Sequence, residues 1–139
     1  MEPIVFKYNV DGEDFSNAGE ASSSLKKSLK QMGFSPDIIR RVAIAMYEGE
    51  INMVIHADGG EAIAEITGDS IKIILADRGP GIKDVELAMQ EGYSTAPDEV
   101  RNLGFGAGMG LPNIKKYSDD LKIETEIGVG TTLTIIINT

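Results

Sequence analysis

The sequence predicts an α/β (α+β) two-layer sandwich: a mixed, mostly antiparallel sheet with helices on one face. Three observations predict it. The chain opens on a short apolar stretch rich in β-formers. Two hairpin signatures follow, "EAIAEIT" and "IKIILAD" around "GDS", then "LKIETEI" and "TTLTIIIN" around "GVG". The segments between them repeat their apolar residues at helical spacing. The 139 residues carry no repeat, linker or low-complexity tail, so residues 1–139 read as a single domain.

In chain order, "PIVFKYNV" (residues 3–10) is the first strand, and "DGED" breaks it. From about Phe15 to Met32, Leu25, Leu29 and Met32 mark an amphipathic helix that stops at Gly33. The second helix has a start signal, with Ser35 as N-cap, Pro36 at the first helical position and Asp37 near the positive end. It runs to about Ala57, where "DGG" (residues 58–60) ends it. The first hairpin turns at residues 68–70, and "RGPGI" breaks its second strand. "KDVELAMQ" (residues 83–90) is a short helix. Residues 91–108 have no apolar period and read as a long loop, a length that is usually functional or disordered. "MGLPNIKKYSD" returns to helical spacing through Leu111, Ile114 and Tyr117, and the second hairpin closes the chain.

Composition narrows the function classes. Apolar content of 42% and charged content of 25% are ordinary for a globular protein. A formal net charge of −9 argues against a broad basic face for nucleic acid. The absence of cysteine excludes disulfides, thiol catalysis and Cys-ligated zinc. No window approaches the ~18 apolar residues of a membrane span. The N-terminus, with Glu2, alternates too much for a signal peptide, so a cytoplasmic location is expected.

Four stretches stand apart from plain folding needs. In the second helix, Glu48, Glu50 and Asn52 interrupt a face otherwise made of Ile44, Met46, Ile51, Met53, Val54 and Ile55. Glu48 and Asn52 are four apart and point the same way. Either both glutamates reach the helix edge and meet solvent or a lysine, or Glu48 and Asn52 line a cleft as an acid/base group and an oxygen ligand suited to Mg²⁺. His56, one turn further, reads as a packing or capping residue. In "ADRGPGI" a buried strand ends on Asp77, followed by Gly79 and Gly81. That is a common turn, or a carboxylate for an exocyclic amine with glycines that let a flat ring lie on the backbone. "GFGAGMGLP" (residues 104–112) is a slack lid, or a glycine-rich helix start whose N–H groups hold phosphate. It lacks the GxxxxGK[ST] pattern and does not follow a strand, so neither the P-loop nor the dinucleotide reading applies. "GVGTTL" (residues 128–133) reads as a hairpin turn.

Together, in order and spacing, Glu48-x-x-x-Asn52, Asp77-x-Gly79-x-Gly81, the run ending "GMGL" and "GVGTT" resemble the GHKL ATPase superfamily with its Bergerat ATP-binding fold. Within it the chain resembles the small serine/threonine kinases that regulate sigma factors, anti-sigma factor kinases and switch kinases. "DVELAMQEGYST" and "GMGLPNIKKYSDDLKIETEIGVGTTL" point to the switch branch. The resemblance implies ATP and Mg²⁺ as cofactors. It implies Asn52 as the Mg²⁺ ligand and Glu48 as the catalytic base. It puts Asp77 on the adenine amino group, with Thr131 assisting, and Gly79 and Gly81 at the adenine floor. Gly108 and Gly110 would offer N–H groups to the phosphates, with Leu111 beside them, and residues 91–107 would be the ATP lid. Gly106 and Ala107 stand where anti-sigma kinases of this group carry a lid arginine. The implied activity is phosphorylation of an STAS-type antagonist, with a sigma factor or phosphatase as further partners and no nucleic acid or membrane. The alternative is a non-catalytic, nucleotide-dependent anti-sigma or partner-binding module.

Overall fold

Five strands form one sheet in the computed structural model, which describes residues 3–11, 19–56, 59–79 and 110–139. In chain order the elements are β1 (Ile4–Asp11), α1 (Glu20–Gln31), α2 (Pro36–His56), β2 (Gly59–Ile66), β3 (Ser70–Asp77), α3 (Gly110–Tyr117), β4 (Asp120–Glu126) and β5 (Gly130–Asn138). The sheet order is β1-β2-β3-β5-β4. Among the described residues every pairing is antiparallel, in keeping with the mostly antiparallel sheet expected. Two helices, an even number, separate β1 from β2 and return the chain in the opposite sense, and tight hairpins make the β2–β3 and β4–β5 pairs.

Alternation along the strands sets the layers. Ala62, Ala64 and Ile66 of β2, Ile71, Ile73 and Leu75 of β3, and Leu133, Ile135 and Ile137 of β5 are buried on one face. The helices cover that face with Leu25 and Leu29 of α1, Val42, Ala45 and Met46 of α2 and Ile114 of α3. On the other face, residues such as Glu65, Lys72 and Thr134 are only half-buried.

Local chemistry explains the helix starts. Ser35 caps α2 as expected, its Oγ accepting from Ile38 N–H at 3.4 Å, with Pro36 first and Asp37 in the first turn. The described part of the first helix starts at Glu20 rather than near Phe15, and residues 15–18 lie outside the described residues. Its N-cap is Gly19 at φ 94°, a left-handed conformation that suits glycine. The second helix ends at His56, ahead of "DGG" as expected, but the next strand starts earlier than Glu61: Gly59 and Gly60 already belong to β2, paired with Asp11 and Val10 of β1. The expected helix at residues 83–90 and the lid at 91–107 lie outside the described residues.

Candidate functional site

The strand-end carboxylate is held by two backbone donors. Asp77 closes β3, and its Oδ1 accepts from Gly79 N–H at 3.0 Å and Thr131 N–H at 2.8 Å. Among the described residues Oδ2 receives no hydrogen bond. The side chain is therefore oriented by one oxygen and leaves the other for a donor from outside. The strands come close here because Gly130 has no side chain; a Cβ on it would collide with the Asp77 carbonyl oxygen and lie 3.2 Å from Oδ1. Gly79 is buried. Thr131 is also buried, and its hydroxyl shares a 3.0 Å hydrogen bond with Thr125 Oγ1, its partner across the β4–β5 ladder.

α2 reaches the same end of the sheet. A Cβ on Gly60, opposite Asp77 in the β2–β3 ladder, would lie 2.7 Å from Met53 Cε and 2.8 Å from Asp77 Cα. The last turns of α2 thus meet the strand end that carries Asp77. Asn52, next to Met53, is half-buried, as is Glu48 one turn earlier. Gly49 brings α2 against the rest of the core: a Cβ there would collide with Leu75 of β3 and stand 3.7 Å from Ile114 Cδ1 of α3. That approach sets Glu48 beside α3, where Asn113 Nδ2 donates to Glu48 Oε1 at 3.5 Å. Burial raises the Glu48 pKa above its ordinary value, and the Asn113 hydrogen bond partly opposes that rise.

Glu50 corrects a sequence expectation. It does not reach the helix edge; it is only 2% exposed. Its carboxylate accepts from Gly19 N–H (2.9 Å) and Ala21 N–H (3.2 Å) on Oε2 and from Ser22 N–H (3.0 Å) on Oε1. These are donors that the first turn of a helix leaves without intrahelical partners. Glu50 is therefore a long-range N-cap for α1, and the positive helix end compensates its charge. No local signal could reveal this, because the partners lie about thirty residues away. Successive helical positions differ by about 100°, so Glu50 leaves α2 on the side away from Glu48 and Asn52.

The glycine-rich run is described only at its end. Gly110 is the first residue of α3, and Leu111 follows it. The Leu111 side chain, expected near a nucleotide, is 8% exposed and belongs to the core, which leaves its backbone as the part a ligand can meet. Gly81, Gly108 and the lid fall outside the described residues, as does the side chain of His56. Asn113 was missed by the sequence reading. Its one available signal was its place three residues, nearly one turn, beyond Gly110.

The described residues thus gather a half-free carboxylate on a β-strand end, a carboxylate and an amide on one face of α2, and the start of α3. Such a set fits a nucleotide with magnesium. No three His, Cys, Asp or Glu side chains form a metal cage among the described residues. A magnesium ion carried by phosphate oxygens and water needs only one or two protein oxygens.

Comparison with known proteins identifies the family of the chain. A family profile described as a histidine kinase-like ATPase domain matches residues 13–137. The serine/threonine-protein kinase RsbT of Bacillus subtilis (strain 168) is 32% identical over 111 residues, covering 77% of each chain. An anti-sigma F factor of Clostridium beijerinckii is 32% identical over 125 residues, 86% of this chain and 84% of that one. The serine-protein kinase RsbW of Oceanobacillus iheyensis is 36% identical over 118 residues, 80% of this chain and 73% of that one. Among solved structures, the RsbU and RsbW domains of Rv1364c from Mycobacterium tuberculosis superpose with a TM-score of 0.66 at 18% identity. That alignment covers 96% of this chain and 32% of the solved one, and it supports the shared fold.

Proposed function

This chain belongs to the histidine kinase-like ATPase domain family, and from that premise we propose that it is an ATP-dependent serine/threonine protein kinase of a sigma-factor pathway. Its substrate is a serine or threonine on a small STAS-type antagonist, and residues 1–139 act as one catalytic domain with residues 91–107 as the lid. The observation that carries the reading is Asp77: a carboxylate that, among the described residues, is held through Oδ1 and not Oδ2 at a strand end, beside the helix that bears Glu48 and Asn52.

In this reading Asp77 Oδ2 accepts from the adenine amino group. Gly79 and Gly81 form the floor, and Thr131 holds Asp77 through its N–H while its hydroxyl assists. Asn52 supplies the oxygen for Mg²⁺. Gly108, Gly110 and the Leu111 backbone place N–H groups at the phosphate end, where the start of α3 favours negative charge. Glu48 accepts the proton of the attacking hydroxyl, and its raised pKa makes it a stronger base than an exposed carboxylate. Bound Mg·ATP supplies the phosphoryl group and the metal charge that offsets it.

Titration calorimetry with Mg·ATP and a radiolabelled transfer assay test the assignment. Asp77→Asn is expected to abolish nucleotide binding. Glu48→Ala is expected to keep binding and lose transfer. Unchanged affinity in Asp77→Asn would remove the adenine site. The relatives named anti-sigma F factor support a second reading, a nucleotide-dependent binding module. Tight capture of a sigma factor with no phosphate transfer to any partner would favour it.

A further inference from the structure

We infer that Asn113 is a positioning residue for the Glu48 carboxylate, an inference that rests on the kinase reading of Glu48. The contact runs between two helices, from the Asn113 amide on α3 to Glu48 Oε1 on α2 at 3.5 Å. The frame around it is rigid. Ile114, the next residue, is fully buried, and Gly49, the residue after Glu48, lets α2 settle onto Leu75 of β3 at a point where a Cβ would also touch Ile114 Cδ1 at 3.7 Å. The two helix backbones are therefore held at a fixed spacing, which keeps the Asn113 amide within reach of Glu48.

The chemistry of the pair suits a base. An amide is neutral, so it orients a carboxylate without neutralising it as a lysine would. It occupies Oε1, and among the described residues Oε2 receives no hydrogen bond, so that oxygen is left to accept from a substrate hydroxyl. At 3.5 Å the contact is long for a hydrogen bond, and catalytic hydrogen bonds of this kind tighten when the reacting groups are assembled. Asn113 also sits nearly one turn beyond Gly110, so the helix whose start is proposed to meet the phosphates carries the group that aims the base. Phosphate placement and base orientation are thereby tied to one element. The titratable side chains of α3 are Lys115, Lys116 and Tyr117; both lysines are exposed, and no hydrogen bond or ion pair joins any of the three to Glu48 among the described residues.

Two measurements on the full chain test the inference. The first is the side-chain ¹⁵NH₂ resonance of Asn113, compared between the wild type and Glu48→Ala. A bonded amide in the wild type that moves to the free-amide position in the variant is expected; the same position in both overturns the contact. The second uses Asn113→Leu and Asn113→Ala, which remove the donor without adding a charge beside Glu48. With [γ-³²P]ATP and a recombinant STAS-domain protein, kcat is expected to fall roughly tenfold or more, the scale of a lost hydrogen bond to a charged group. The KM and Kd for Mg·ATP are expected to stay within about twofold, with wild-type thermal stability. Wild-type kcat in both variants overturns the positioning role, as does a parallel loss of nucleotide affinity, which marks a merely structural residue. If the wild type itself transfers no phosphate, the kinase reading fails, and the resonance alone decides whether Asn113 holds Glu48.

Discussion

Glu48 has a cost that follows from its place. Half-buried between α2 and α3, it is harder to ionise than in the unfolded chain. The folded state keeps the Glu48 proton to higher pH than the unfolded state does. The associated stability is present below the ordinary carboxylate pKa of 4.5 and is lost as pH rises through the raised value. Glu48→Gln is therefore expected to stabilise the nucleotide-free protein at neutral pH. Solvent screening of a half-exposed group keeps the gain below about 1 kcal/mol. Thermal unfolding of the two proteins at pH 7 and at pH 4 checks this, and the difference should shrink at the lower pH. Activity should show the same group from the other side. The acidic limb of the transfer rate should fall at a pH above that of an ordinary glutamate.

At the level of elements, α2 is where the molecule is tied together. One side of its later half carries Glu48 and Asn52, while Glu50 caps α1 with three backbone bonds. Glu50→Ala leaves three buried N–H groups without partners and should cost about 2–4 kcal/mol. Denaturant unfolding measures that loss, and the variant's helix content at low temperature separates a local loss of α1 from global unfolding. Near its start, α2 holds the other end of α3. Arg41 Nε donates to the Tyr117 carbonyl at 3.2 Å, and Nη2 donates to Asp119 Oδ2 at 3.0 Å. A cation at a helix C-terminus meets its negative end. Asp119 also accepts from Asn138 N–H at 2.7 Å, and that bond, together with Arg41, holds its carboxyl below the ordinary range. Because the folded pKa is depressed, this support is present above the unfolded value and lost as pH falls through the folded one. Arg41→Ala should lower the melting temperature at neutral pH, with the gap to wild type closing in acid.

For the whole molecule, the nucleotide should act as a fastener between layers, since the proposed ligands come from α2, β3, β5 and the start of α3. A ligand at ~100 times its dissociation constant adds about 2.7 kcal/mol, so Mg·ATP should raise the melting temperature by several degrees. Asp77→Asn should abolish that rise. An equal rise in Asp77→Asn would place the nucleotide elsewhere. The sequence by itself determined the strands and most helix ends, because alternation, helical spacing, the Ser35–Pro36 start and the hairpin turns are local signals that the packed core obeys. It also determined the family, because the order and spacing of the four motifs are a linear property. Only the tertiary structure decided that Glu50 caps α1, that Leu111 turns its side chain into the core, that Asp77 is held through one oxygen by Thr131 N–H, and that Asn113 meets Glu48. Each of these joins residues far apart in the chain or depends on which way a helix is rolled against the sheet. Close packing fixes such relations, and local periodicity carries no record of them.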